Sequence, residues 1–201
     1  MRPFGSYGKM AVIYLLFIID RLQMIQTSLY TLADALGFAR PKQNADFTGL
    51  STDTRTLVPG NLYIAIRGKQ FDGHDFITQA IQKGAAAILV DHPVDLSLPE
   101  LVVSDTILAL GKIAEYWRDQ FHLPLIGVTG SNGKTTLKNM IASILRAAID
   151  PNQEDILATE GNLNNAIGLP LNLARLNPTH RYAVLETVSY THLTLPTILR
   201  V

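Results

Sequence analysis

LPLIGVTGSNGKTTLKNMIASIL, residues 123–145, is the stretch on which the reading of the fold turns. A short apolar run enters it, a loop carrying glycines and Lys-Thr-Thr follows, and an amphipathic run leaves it, the order of strand, phosphate-cradling loop and helix. The strict P-loop pattern wants a glycine five residues before the Gly133-Lys134 pair. Val128 stands there instead, so the loop is a variant built on Gly127, Gly130 and Gly133. Its physical requirements survive. Glycines let backbone N–H groups approach phosphates, Lys134 offers a point charge for the terminal phosphates, and the Thr135 hydroxyl suits Mg²⁺. Leu137, Met140, Ile141, Ile144, Leu145 and Ala148 recur at helical spacing, which predicts one face buried on a sheet and the positive helix terminus aimed at an anion. The competing reading is a Gly-rich turn with a surface lysine; the strand before and the helix after count against it.

The 201 residues are 47% apolar, enough for a core in one large or two small domains. Seventeen basic and 17 acidic residues cancel, so net charge argues neither for nucleic acid nor for an anionic membrane. The absence of cysteine excludes disulfides and thiolate chemistry and fits a reducing compartment. Residues Met10–Ile19 form an apolar run of ten, too short for a membrane span and without a following cleavage site. Residues 1–23 are expected to be a doubtful extension, with Met24 as the start, because an ordinary domain pattern begins near Thr27.

Residues 24–104 carry the pattern of a small α/β domain. Ser28–Leu36 predicts a capped helix ending at Gly37, Asn61–Ile66 a strand, Asp75–Lys83 a helix stopped by Gly84, Ala86–Val90 a strand, and Leu101–Val103 a further apolar segment. Two polar clusters interrupt it: Ser51-Thr52-Asp53-Thr54-Arg55 and GKQFDGH, residues 68–74. Hydroxyls, carboxylates, an arginine and glycines on loops suit a polar, phosphorylated ligand, and equally suit turns and helix caps. His74, at a helix start, has the same two readings.

Asp105–Phe121 predicts a helix with Leu110, Ala114, Trp117 and Phe121 on one face, and the domain boundary is placed near Ser104, opening a second domain over residues 105–186. Ile156–Ala158 is a short strand. In GNLNNAIGLP, residues 161–170, the asparagine amides need partners, either a ligand or the backbone of a helix start. Tyr182–Leu185 predicts a buried strand delivering Glu186 to its C-terminal end, where ligands of open α/β sheets bind.

Taken together, STDTR with VPGNLYIAIRG, FDGHDF with AIQKGAAAILV, GVTGSNGKTT, and GNLNNAIGLP with YAVLE resemble the ATP-dependent Mur ligases of peptidoglycan synthesis. The match extends from about Thr27 to Glu186, and the glycine departure is the family's own form of the loop. The asparagine run points to the branch that adds D-Ala-D-Ala to UDP-MurNAc-tripeptide, the alternatives being another branch of the family or a nucleotide-binding module without catalysis. This resemblance implies a cytoplasmic, monomeric enzyme with a UDP-sugar domain, a P-loop-type ATPase domain and an amine-binding domain. ATP would phosphorylate the tripeptide's terminal carboxylate, D-Ala-D-Ala would attack the acyl phosphate, and ADP and phosphate would leave.

Carried over by motif, Lys134 is the catalytic cation on the β and γ phosphates. Gly130, Ser131, Asn132, Gly133, Thr135 and Thr136 wrap the phosphates, with Asn164 and Asn165 also on the nucleotide. Thr135 and Glu186 hold Mg²⁺, and Ser51, Thr52, Asp53, Arg55, Asp72 and His74 face the UDP-sugar. After Glu186 the family pattern breaks: Thr187-Val188 stands where Met-Gly or Leu-Gly is expected, and VSYTHLTLPT, residues 188–197, reads like a translated sequencing adapter. Residues 187–201 are therefore expected to be non-native, the ATPase domain incomplete and poorly soluble, and ligase activity absent from these residues alone.

Overall fold

The computed structural model describes residues 24–149 and 155–188. The apolar run Met10–Ile19 and the adapter-like stretch beyond Val188 lie outside the described residues.

Alternation builds the first unit. β3 (Leu50–Ser51), β4 (Leu62–Ile64), β5 (Ala87–Val90) and β6 (Glu100–Val102) form a parallel sheet in sequence order. Because side chains of a strand point alternately to its two faces, Leu62, Ile64, Ala87 and Leu89 enter one core while Tyr63, Ala65, Ile88 and Val90 enter another. That double burial explains why these strands read as continuous apolar runs. The first face packs on α1 (Leu29–Leu36), whose start is capped by Ser28 Oγ accepting from Thr31 N at 3.1 Å and whose end is Gly37 at φ 67°. Beneath the second face lies α2 (Ile77–Gln82), entered through a 3-10 turn at Gly73–Phe76. An antiparallel pair, β1 (Gln26–Ser28) with β2 (Asp46–Thr48), closes the N-terminal side.

In the second unit β7 (Leu125–Val128), β8 (Ile156–Ala158) and β9 (Tyr182–Glu186) form a parallel sheet in the order β7-β9-β8. The phosphate loop leads from β7 into α4 (Lys134–Ile149). Between the two sheets runs α3 (Thr106–Arg118), its first turn capped by Asp105 Oδ1 accepting from Ile107 N and Leu108 N. Ala109, Leu110 and Ile113 join the first core, whereas Ala114 packs with Leu169 and Leu173 around α5 (Gly168–Leu173). The expected boundary near Ser104 thus meets a helix that serves both cores. Trp117 Nε1 donating to Leu176 O at 2.9 Å and Ile25 N donating to Ala174 O at 2.7 Å add polar links across the same junction.

One expectation is corrected. Of the stripe predicted to be buried on α4, Leu137, Met140 and Ile144 are 49%, 56% and 64% exposed, and Ala148 is exposed too. The inward face is instead Lys138 and Ala142, flanked by Ile141 and Leu145. The physical reason is geometric. A helix resting on Val128, Ile156 and Val184 covers them with one narrow side, and the rest of its broad apolar surface has no described element against it.

Urea unfolding of single variants is expected to separate the two environments. Leu89→Ala, at a fully buried position, should cost about 2–5 kcal/mol, whereas Ile144→Ser should stay within about 0.5 kcal/mol of the parent. Equal losses at the two sites would contradict the assignment of the helix face.

Candidate nucleotide and sugar sites

The phosphate loop is shaped by two glycines at positive φ, Gly130 at 143° and Gly133 at 74°, conformations that residues bearing a Cβ rarely adopt. Ser131, Asn132, Gly133 and Thr136 are exposed along it, and α4 begins at Lys134, so the helix N-terminus opens onto the loop. Lys134 Nζ folds back onto Gly130 O at 2.6 Å, its charge held over the loop. A phosphate entering there would offer that ammonium a stronger, charge-assisted acceptor.

Register places the opposing carboxylate. β7 and β9 pair with Val128 beside Glu186, so the last residue of β9 stands against the strand end from which the loop departs. Glu186 is only 3% exposed, and its Oε2 accepts from Thr135 Oγ1 at 2.9 Å while Oε1 accepts from Asn164 Nδ2 at 2.9 Å. Among the described residues this buried carboxylate is held by neutral donors, which leaves its charge available to a cation. A hydroxyl and a carboxylate at the mouth of a phosphate loop are an all-oxygen, hard donor set of the kind Mg²⁺ takes. The residues therefore fit that ion.

The asparagines divide. Asn164 meets Glu186, as described; Asn165 Oδ1 accepts from Ile167 N at 3.0 Å and Gly168 N at 2.8 Å, so its oxygen is taken up by the start of α5. Sequence reasoning missed the residue behind Glu186. Lys138, 4% exposed, donates to Thr159 O at 2.7 Å, and Thr159 Oγ1 accepts from Glu186 N at 2.8 Å, which ties α4, β8 and β9 together beside the carboxylate. The signal was a lysine one turn after Lys134, on the helix side that proved to face inward.

In the first unit both polar clusters border one cavity of about 590 Å³, lined by Thr52, Asp53, Thr54, Arg55, Tyr63, Ile66, Phe71, Gly73, Phe76 and Gln79. Thr52, Asp53 and Arg55 are brought together there. Ser51 lies behind them, buried, its hydroxyl donating to Asp53 O and accepting from Asp53 N within the turn. Asp72 and His74 do not line the cavity: they are joined to each other, His74 Nδ1 to Asp72 Oδ1 at 2.6 Å, in the adjoining loop. Tyr63 was not anticipated. Its hydroxyl donates to Gly73 O at 2.9 Å, and burial, aided by the charges of Asp53 and Asp72, pushes it up to about 12, so it stays a neutral donor.

Arg55 grips Asp53, with Nη2 2.6 Å from Oδ2 and Nε 3.0 Å from each oxygen, and these hydrogen bonds hold the carboxyl below its ordinary value of 3.8. A lowered carboxyl contributes stability that is full above the ordinary value and lost as pH falls through the folded one. A carbon-detected NMR titration should place the Asp53 midpoint below 3.8 in the parent and return it toward 3.8 in Arg55→Met. A parent midpoint at or above 3.8 would contradict the pairing.

Comparison with known proteins agrees with this geometry. Residues 46–119 match the family described as "Mur ligase family, catalytic domain", and residues 128–196 match "Mur ligase middle domain". The chain is 46% identical over 165 residues to the UDP-N-acetylmuramoyl-tripeptide--D-alanyl-D-alanine ligase of Escherichia coli K12, covering 81% of this chain and 35% of that protein. Among solved structures it is similar to MurF from Acinetobacter baumannii, with a TM-score of 0.73 at 35% identity over 83% of this chain and 37% of that one. It is also similar to MurF ligase from Thermotoga maritima in complex with ADP, with a TM-score of 0.62 at 31% identity over 70% of this chain and 32% of that one. The chain spans about a third of the length of the curated relatives it matches. Two successive matches to Mur ligase family models, together with relatives and solved structures of that family at 31–46% identity, place the chain in the Mur ligase family.

Proposed function

We propose that the chain supplies the nucleotide-binding and UDP-sugar-facing parts of an ATP-dependent amide ligase that adds D-Ala-D-Ala to UDP-MurNAc-tripeptide in the cytoplasm, acting as a monomer. The observation that carries the reading is the 2.9 Å contact of Thr135 Oγ1 with Glu186 Oε2 at the mouth of a loop whose Lys134 lies over it. Among the described residues no helix is long and apolar enough to cross a membrane.

In this reading Gly130–Thr136 wrap the phosphates of ATP, Lys134 leaves Gly130 O for the β and γ phosphates, and Thr135 and Glu186 hold Mg²⁺. The ion, when bound, neutralises charge on the phosphate oxygens. Asn164 orients the Glu186 carboxylate, and Lys138 steadies it through Thr159. Acyl phosphate formation needs in-line positioning and charge neutralisation more than a covalent nucleophile, which suits a site made of a lysine, a hydroxyl and a carboxylate. The cavity beside Asp53 and Arg55 would take the UDP-sugar, with the aromatic edges of Phe71 and Phe76 available to its base and the guanidinium to its phosphates. Support comes from the name of the Escherichia coli relative and from the ADP bound to the Thermotoga maritima neighbour.

Titration of a fluorescent ATP analogue against the chain, with and without Mg²⁺, tests the reading. Binding should tighten with Mg²⁺, Lys134→Ala should weaken it by at least about tenfold, and Glu186→Gln should remove the Mg²⁺ effect. Unchanged affinity in Lys134→Ala would refute the assignment of the loop.

A further inference from the structure

We propose that His74, Asp91 and His92 form a binding site for a divalent metal of the zinc class at the C-terminal edge of the first sheet, separate from the nucleotide loop. β5 ends at Val90 and so delivers Asp91 and His92 to that edge, while the 3-10 turn Gly73–Phe76 brings His74 against them. The turn is held closely. Gly73 N donates to Ile66 O at 2.9 Å, and a Cβ on Gly73 would fall 2.6 Å from Ile66 N, so the backbone before His74 is pressed onto the end of β4.

The hydrogen bonds then fix which atoms face each other. His74, whose side chain is 9% exposed, directs Nδ1 at Asp72 Oδ1, 2.6 Å away, which turns Nε2 toward Asp91. Nε2 lies 3.3 Å from Asp91 Oδ1 and accepts a long hydrogen bond from Asp91 N at 3.4 Å, which a metal bond would replace. With the ring proton on Nδ1, a nitrogen lone pair and a carboxylate oxygen face each other, an arrangement that a proton or a metal cation between them relieves. The spacing suits a metal: bonds of about 2.0–2.2 Å at a tetrahedral centre put two ligand atoms about 3.3 Å apart.

His92 supplies the third ligand. Its ring stacks on His74 with centroids 4.6 Å apart, and its Nδ1 hydrogen-bonds Asp91 Oδ1 at 2.5 Å. One ligand atom from each of the three residues lies within 4.8 Å of the others. The His92 side chain is half exposed, so its ring has room to turn and exchange that hydrogen bond for a metal bond. Asp72 behind His74 is the carboxylate partner that orients a ligating imidazole and raises its basicity. Arg67 bridges the two carboxylates, Nε to Asp72 Oδ2 at 2.9 Å and NH2 to Asp91 Oδ1 at 3.3 Å, leaving the cluster with one net negative charge when both imidazoles are neutral. Two nitrogens and one oxygen select zinc, cobalt or nickel over Mg²⁺, so this site and the Thr135–Glu186 site discriminate by donor type. A bound ion would fasten the Gly73–Phe76 turn to the end of β5, and with it the loop that walls the cavity.

The test uses the chain without a histidine tag, stripped with chelator, at about pH 7.5, where protons compete little for metal ligands. Zn²⁺ is followed by calorimetry and Co²⁺ by visible absorption. One equivalent should bind with a dissociation constant below about 100 μM, and Co²⁺ should show the intense bands of a tetrahedral centre. His92→Ala and Asp91→Asn should each weaken Zn²⁺ by at least about tenfold, whereas Lys134→Ala should leave it unchanged. His92 is exposed, so its replacement tests the site even where Asp91→Asn fails to fold. No saturable Zn²⁺ binding in that range, or equal affinity in His92→Ala, would overturn the proposal.

Discussion

The pairing of β7 with β9 is the constraint on which the rest of the second unit depends. Parallel register sets Val128 beside Glu186. One strand therefore ends in the phosphate loop and its neighbour ends in the carboxylate, at the sheet edge where ligands of open α/β folds collect. A shift of one residue would turn Glu186 to the opposite face of the sheet. Everything near it reinforces the chosen register: Thr135 and Asn164 occupy the two carboxylate oxygens, and Thr159 receives the backbone N–H of Glu186. The contacts continue past the strand, since Thr187 N donates to Val128 O at 3.0 Å and Val188 N to Asn164 O at 3.0 Å.

Lys138 shows what this arrangement demands of the sequence. An ammonium that is 4% exposed is costly unless its surroundings answer its charge, and it meets the carbonyl of Thr159, whose hydroxyl serves the backbone of a buried glutamate. Cation and anion are thus linked through one threonine, each on a different element. The first unit is organised differently, with its polar residues gathered on loops after β3 and β4 and its sheet buried on both faces. Helix α3 joins the two, since Leu110 and Ile113 belong to one core and Ala114 to the other.

Much of this was legible in the residues themselves. Caps were explicit: Ser28, Gly37 and Asp105 end or begin helices as their chemistry requires. Strands that are buried on two faces announced themselves as unbroken apolar runs. The variant glycine loop suggested phosphate chemistry, and the strand ending at Glu186 lies where the sequence pattern put it. Periodicity failed on α4 because spacing reports that a face is apolar, not that a described element covers it; Leu137, Met140 and Ile144 lie open while Lys138 goes inward. The two asparagines could not be divided from sequence, because capping and carboxylate binding ask for the same amide. Nor could spacing reveal that Asp91 and His92, just past β5, join Asp72 and His74 beside the cavity, since that contact exists only once β4 and β5 are paired.

In the proposed function Lys134, Thr135 and Glu186 form one phosphate and metal site. A crystal structure of the chain with Mg²⁺ and a non-hydrolysable ATP analogue tests it most directly. Phosphates should lie within the Gly130–Thr136 loop, with Lys134 Nζ moved from Gly130 O to a phosphate oxygen and the ion about 2.1 Å from Thr135 Oγ1 and a Glu186 oxygen. Nucleotide bound elsewhere, with Lys134 still on Gly130 O and Glu186 distant from the ion, would contradict it.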